Sequence, residues 1–189
     1  GGPKSLEGLR YLNTSEVTTM FGMFWDCASL TEIDVSHFDT RQVKSMAYMF
    51  SGCNSLQSLD LSGFDTGKLV NVNRMFDNCF SLETILCDDT WSIRASSNMF
   101  YDCPALRGAV AWDGYTLNGT MANPVTGYFT YASGDLDADG RLTSLDVDRL
   151  VRLVLQEETP TRVSDIDRDS RLSLSDVTTL VNRLKPASP

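Results

Sequence analysis

Apolar residues in the first hundred positions recur at intervals far longer than a helix turn. Val43, Met46, Met49, Phe50, Cys53 and Leu56 are matched upstream by Val17, Met20, Met23, Phe24, Cys27 and Leu30. Downstream they are matched by Leu69, Val72, Met75, Phe76, Cys79 and Leu82, and by a reduced copy at Met99, Phe100, Cys103 and Leu106. After each cysteine comes a Leu-x-x-Leu-x-Leu-like run, which predicts a short strand: Leu30, Ile33, Val35; Leu56, Leu59, Leu61; Leu82, Ile85, Cys87. A weaker run opens the array at Leu6, Leu9, Tyr11, and a shrunken one closes it at Leu106, Ala109, Ala111. Turns follow at Asn13-Thr14, Asp39-Thr40, Asp65-Thr66 and Asp89-Thr90. A unit this short cannot bury its apolar side chains alone, so the copies must stack and set equivalent residues in ladders. The Met-Phe pairs, the cysteine column, Phe38, Phe64, Trp91 and Cys87 are predicted to face inward.

The pattern changes in the last third. Val147, Leu150, Val151 and Val154 share one face of a predicted helix, and Val177, Leu180, Val181 and Leu184 repeat it thirty positions later. Before each helix lies a twelve-residue loop with aspartate at positions 1, 3, 5 and 12: Asp135, Asp137, Asp139, Asp146, then Asp165, Asp167, Asp169, Asp176. A hard cation with six to eight oxygen ligands is wrapped by alternate residues of such a loop and closed by the carboxylate at position 12. Leu142 and Leu172, at position 8, are predicted to pack between the halves. The stretch 159–164 contains Pro160 and is too short for an incoming helix, so each unit is a loop and an exit helix only.

These patterns predict an α+β chain in which a short repeat solenoid precedes a small all-α module. The boundaries read as residues 1–130 for the array, 131–133 as a minimal linker and 134–189 for the module.

Composition adds limits. The chain has 189 residues, 42% of them hydrophobic, and a net charge of −9. No basic footprint for nucleic acid is present, and no apolar run approaches the ~18 residues of a membrane span. Residues 1–133 hold 14 acidic and 8 basic side chains, and residues 134–189 hold 11 and 8. Two bound Ca2+ would bring the second segment from −3 to +1 and relieve carboxylate repulsion there. The cysteine spacings of 26, 26 and 24 follow the repeat, unlike a disulfide or zinc pattern. The start at Gly1-Gly2-Pro3 looks like a processing scar, so the lack of a visible signal peptide carries little weight.

The front segment, over roughly residues 5–129, resembles the BspA-like leucine-rich repeats of bacterial surface proteins, through its Met-Phe-x-x-Cys-x-Ser-Leu and Phe-Asp-Thr signatures. Met121 through Thr130 looks like the cap of such arrays. The resemblance implies adhesion to an unknown protein or surface ligand. Outward strand positions form the candidate face: Thr31, Glu32, Asp34; Gln57, Ser58, Asp60; Glu83, Thr84, Leu86. No aromatic ladder occurs at those positions, which argues against a carbohydrate platform there; Trp25 and Trp112 lie outside them.

The back segment resembles the type I dockerin family: it begins Gly134-Asp135, has aspartate in place of glutamate at loop position 12, and closes with an apolar helix. The resemblance implies a secreted bacterial protein, associated with the cellulosome or cell surface in polysaccharide degradation, that binds a cohesin module of a scaffoldin through an EF-hand-like, calcium-dependent fold. Carried over by position, the calcium ligands are Asp135, Asp137, Asp139, the Arg141 carbonyl and Asp146, and in the second loop Asp165, Asp167, Asp169, the Arg171 carbonyl and Asp176. Thr143 and Ser173, at position 9, would act through water. Ser170 replaces the usual glycine at position 6, a strain of ~1 kcal/mol that predicts a weaker second site. The implied cohesin face comprises Ser144, Leu145, Asp148, Arg149 and Arg152 in one half, with Leu174, Ser175, Thr178, Thr179, Asn182 and Arg183 in the other. Leucine sits at position 11 in the first loop and position 10 in the second, and the arginines do not superimpose, so one of two symmetry-related cohesin orientations is expected to dominate.

Dockerins often accompany hydrolases, so an accessory hydrolase or enzyme inhibitor is the alternative function. The sole histidine, His37, lies in a predicted exposed turn, and no nucleophile–base pair is suggested. Asp34 and Asp60 are repeat-equivalent carboxylates to which no acid or base role can be assigned. The expectation is a non-enzymatic interaction protein.

Overall fold

The computed structural model describes residues 3–6, 8–136, 143–155, 164–167 and 172–184. Contacts divide the chain into two units, Gly1–Thr130 and Tyr131–Pro189. The described residues form two α-helices, one two-stranded sheet and two short 3-10 helices.

In the first unit, equivalent residues of successive copies stack in parallel. Thr19 bridges Ser45, Ser45 bridges Asn71, and Asn71 bridges Ala95. Past each bridge the backbone N–H groups alternate between two jobs. Those of Met20, Gly22, Phe24 and Asp26 donate to the next copy at Ser45, Ala47, Met49 and Ser51, over 2.8–3.0 Å. Those of Met23, Trp25 and Cys27 fold back three residues to Met20, Gly22 and Phe24. Combining a ladder with tight turns requires left-handed backbone at two positions per copy: Gly22, Tyr48, Arg74 and Asn98, then Asp26, Gly52, Asn78 and Asp102, with φ between 53° and 76°. Glycine, asparagine and aspartate adopt it readily, and Tyr48 and Arg74 do so against steric cost.

Inside the stack, Phe24, Phe50, Phe76 and Phe100 lie face to face, with centroids 5.4, 5.9 and 5.5 Å apart. Offset ring stacking adds to the burial each ring gains from its neighbours. Cys53, Cys79 and Cys103 are fully buried, and their thiols donate to the Phe24, Phe50 and Phe76 carbonyls at 3.2, 3.1 and 2.9 Å. Phe38, Phe64, Trp91 and Cys87 are also buried.

The Leu-x-x-Leu-x-Leu runs form regular strands only in the middle copies. β1 (Ser58–Asp60) pairs in parallel with β2 (Thr84–Leu86), with Leu59 opposite Ile85. The opening run departs from expectation: Leu9–Tyr11 is a 3-10 helix, and Tyr11 is 81% exposed. Gly8 bends the chain into helical φ/ψ, and the Leu9 and Tyr11 N–H groups are satisfied locally by Leu6 and Gly8. The closing run also departs. Arg107 and Ala111 form an antiparallel bridge, Ala111 is exposed, and Thr130 takes the place beside Leu86. Tyr128 and Phe129, both fully buried, close the end of the phenylalanine stack, 5.2 and 6.2 Å from Phe100.

In the second unit, α1 (Ser144–Val154) and α2 (Leu174–Leu184) are eleven residues each, the same span thirty residues apart. Their core is Leu136, Leu150, Leu153, Ile166 and Leu180, with Val147, Leu172 and Val177 packed against it. The buried stripe is centred differently from the sequence expectation. Leu153 is buried, whereas Val181 is 37% exposed. Leu142 lies outside the described residues.

Candidate metal centre and partner-binding face

The two loops are braced by the aspartate at position 12, fully buried in both copies. Asp146 Oδ1 accepts from Leu136 N–H at 2.8 Å, and its Oδ2 accepts from Thr143 N–H at 2.7 Å. Asp176 repeats this, with Ile166 N–H on Oδ1 and Ser173 N–H on Oδ2, both at 2.7 Å. One carboxylate thus ties position 2 to position 9 and holds the loop against its helix. The hydroxyl at position 9 serves the helix directly. Thr143 Oγ1 accepts from Leu145 N–H at 3.1 Å and forms a capping box with Asp146. Ser173 Oγ accepts from Ser175 N–H at 3.2 Å. Serine and threonine are favoured caps because their oxygen satisfies a helix N–H that has no partner within the helix.

In the second loop Asp165, Asp167 and Asp176 each bring a carboxylate oxygen within 4.8 Å of the others. Asp165 is half-buried, Asp167 exposed and Asp176 buried. Three like charges converging on one point repel unless a cation lies between them, and an all-oxygen donor set fits a hard divalent ion such as calcium. In the first loop Asp135 is half-buried and Asp146 buried. Asp137, Asp139, Arg141, Asp169, Ser170 and Arg171 lie outside the described residues.

On the helices, Leu145 and Leu174 are 62% and 72% exposed. Ser144, Asp148, Arg149, Arg152, Ser175, Thr178 and Asn182 are exposed as well, and Thr179 is half-buried. Arg183 departs from this face. It is half-buried and turned inward, donating to Ser133 O and Oγ at 3.2 and 3.1 Å and to Ile166 O at 3.1 Å. Its guanidinium also lies over the Tyr131 ring at 5.8 Å. The offset of thirty explains this: Arg183 is the counterpart of the buried Leu153, an inward position. Counting from Asp146 and Leu150 rather than from the valines would have found both residues.

Residues 4–112 match the family described as "Mycoplasma protein of unknown function, DUF285", which is more than half of the chain. The chain belongs to this family. Residues 133–185 match the type I dockerin domain, and so contain both loop–helix units. No curated protein and no solved structure matches the chain. Within the dockerin domain, Leu136 and Ile166 are core residues that link each loop to its brace, an assignment hidden in sequence because each sits between two loop aspartates.

Within the DUF285 segment the outward strand positions are mostly exposed and, apart from Leu86, polar; Asp60, Thr84 and Leu86 are half-buried. Asp34 Oδ1 accepts from Ser36 N–H and Oγ, and Asp60 Oδ1 accepts from Ser62 N–H, so these carboxylates fasten turns. His37 is exposed, with Nε2 2.8 Å from Leu9 O. No described helix is long and apolar enough to cross a membrane.

Proposed function

We propose that the chain is a cellulosome-associated interaction protein. Its dockerin domain, folded by two Ca2+, binds a cohesin of a scaffoldin and so displays the N-terminal repeat unit outside the cell. The observation that carries the reading is the dockerin match over residues 133–185, together with two equivalent buried aspartate braces that set Leu145 and Leu174 exposed at helix N-termini. The ions would be held by the aspartates of each loop. Their charge would complete folding by offsetting carboxylate repulsion.

The repeat unit is read as a leucine-rich solenoid of the BspA-like class with an adhesive role. The parallel bridges between Thr19, Ser45, Asn71 and Ala95 and the stacked phenylalanines support that reading. We propose a non-catalytic role for the repeat unit, in which Asp34 and Asp60 serve as turn caps, each accepting from the serine two residues on. A substrate panel detecting turnover sensitive to Asp60→Ala would favour a hydrolase instead.

The decisive experiment is capture of the full chain on a cohesin panel with calcium and with chelator. Capture that requires calcium is expected. Equal capture in chelator would overturn the cohesin assignment.

A further inference from the structure

Arg183 breaks the symmetry of the two halves at an inward position, where the first half has the buried Leu153. A leucine there only fills the core, whereas the guanidinium grips two places at once. Its Nη1 donates to Ser133 O and Oγ at 3.2 and 3.1 Å, and its Nη2 donates to Ile166 O at 3.1 Å. Both partners are buried. The Tyr131 ring, 5.8 Å from the guanidinium carbon, adds a third contact on the Ser133 side.

Each grip lies at the start of an aspartate loop. Ser133 precedes Gly134, whose φ is 95°, and then Asp135, position 1 of the first loop. A glycine has wide backbone freedom of its own, so the direction in which Asp135 enters its loop depends on what holds Ser133. Ile166 is position 2 of the second loop, between Asp165 and Asp167. Its N–H donates to Asp176 Oδ1 at 2.7 Å while its carbonyl accepts from Arg183, so it is fastened on both sides. The carboxylates of Asp165, Asp167 and Asp176, which it stands among in sequence or bonding, lie within 4.8 Å of one another.

We propose that Arg183 is a positioning residue that couples the two calcium loops, so that filling either one raises the affinity of the other. Repulsion among the three converging carboxylates pushes the second loop open when no cation lies between them, and Ile166 moves with its neighbours Asp165 and Asp167. A filled loop fixes Ile166, and with it the Ile166 carbonyl that Arg183 grips. The guanidinium is a rigid planar fork, so fixing one of its arms fixes the direction of the other, which holds Ser133 ahead of Asp135. Coupling between two binding sites is reciprocal, so the first loop helps the second by the same factor. The first half offers no equivalent link at this position, since Leu153 has no donor. The inference rests on the calcium reading of the loops and is independent of the cohesin assignment.

The test is calcium titration calorimetry of the full chain. Asp135→Asn and Asp165→Asn each remove the position-1 carboxylate of one loop and leave the other to be measured alone. The two-site association constant of the unaltered chain should exceed the product of the two single-loop constants about tenfold. With Arg183→Leu in all three proteins the excess should vanish. That variant places at this position the residue that the first half already accommodates as Leu153. Arg183→Lys keeps the charge without the fork and should lose the excess too, and the comparison is read on it if Arg183→Leu does not fold. Val177→Ala weakens the same core without touching the link and should keep the excess. A two-site constant equal to the product in the unaltered chain, an excess that survives Arg183→Leu or Arg183→Lys, or one that Val177→Ala also removes would overturn the proposal. Absence of calcium uptake by either loop would overturn the calcium reading itself, and the coupling with it.

Discussion

The buried thiols of the repeat unit are hydrogen-bond donors as well as fillers of the core. Burial pushes Cys53 and Cys103 up to about 12 and Cys87 up to about 11, and Cys79 well above its ordinary value. In the unfolded chain each would ionise near 9.0. The folded state therefore keeps protons that the unfolded state loses, and stability falls as pH rises through the unfolded value. Full stability is expected below pH ~8.5, with a loss above pH ~9 approaching ~1.4 kcal/mol per pH unit for each thiol. Thermal melts from pH 7 to 10.5 would show it, and replacing Cys53 with alanine should reduce the slope. A flat profile would mean that these thiols ionise in place. At the dockerin face the exposed leucines differ in register, one at loop position 11 and the other at position 10. Leu145→Ala and Leu174→Ala should thus lower cohesin affinity unequally, by more than ~1.4 kcal/mol between them, a tenfold gap. Equal losses in titration calorimetry would instead indicate two interchangeable orientations.

Elements formed where local pattern and stacking agree, and departed where only one was present. The eleven-residue helices and the inward phenylalanines were legible because their spacing encodes them directly. The left-handed columns were not, since Tyr48 and Arg74 are poor residues for positive φ and are held there by ladder bonds from neighbouring copies. Arg183 was misplaced because a charged residue at an inward position satisfies itself through Ser133 and Ile166, partners distant in sequence. The closing strand slot is likewise filled from afar. Thr130 N–H donates to Ile85 O, and Cys87 N–H donates to Thr130 O. Gly108 lets this cap approach: a Cβ there would stand 2.3 Å from the Tyr128 carbonyl carbon and 2.5 Å from Phe129 O. Backbone cannot yield as a flexible side chain can, so Gly108→Ala should cost about 2–3 kcal/mol. The same substitution should loosen Phe129 from Trp91, whose rings meet at 5.4 Å. A lower melting midpoint with red-shifted tryptophan emission is expected, and an unchanged midpoint would show that the cap moves freely.

For the whole molecule, calcium should act on one unit and not on the other. The repeat unit draws its stability from a continuous core running from Met20 to Phe129, with side-chain and backbone bonds between copies. Among its described residues the dockerin unit has a core cluster of five buried apolar side chains. Beside them it buries two carboxylates, Asp146 and Asp176, in loops crowded with further aspartates. A small core and strong like-charge repulsion make folding there dependent on the ion, whose binding free energy becomes folding free energy. Ligand linkage then adds about 2.7 kcal/mol when free calcium is a hundredfold above its dissociation constant. Calorimetry in millimolar calcium should show the dockerin transition at a high temperature, and chelator should lower it or abolish it. The repeat-unit transition should hold its midpoint in both conditions: among the described residues the converging carboxylates are Asp165, Asp167 and Asp176 of the dockerin unit, and the buried Asp77 of the repeat unit is paired with Arg74. A single transition that moves as a whole with calcium would mean that the two units unfold as one and that the ion stabilises the repeat array too.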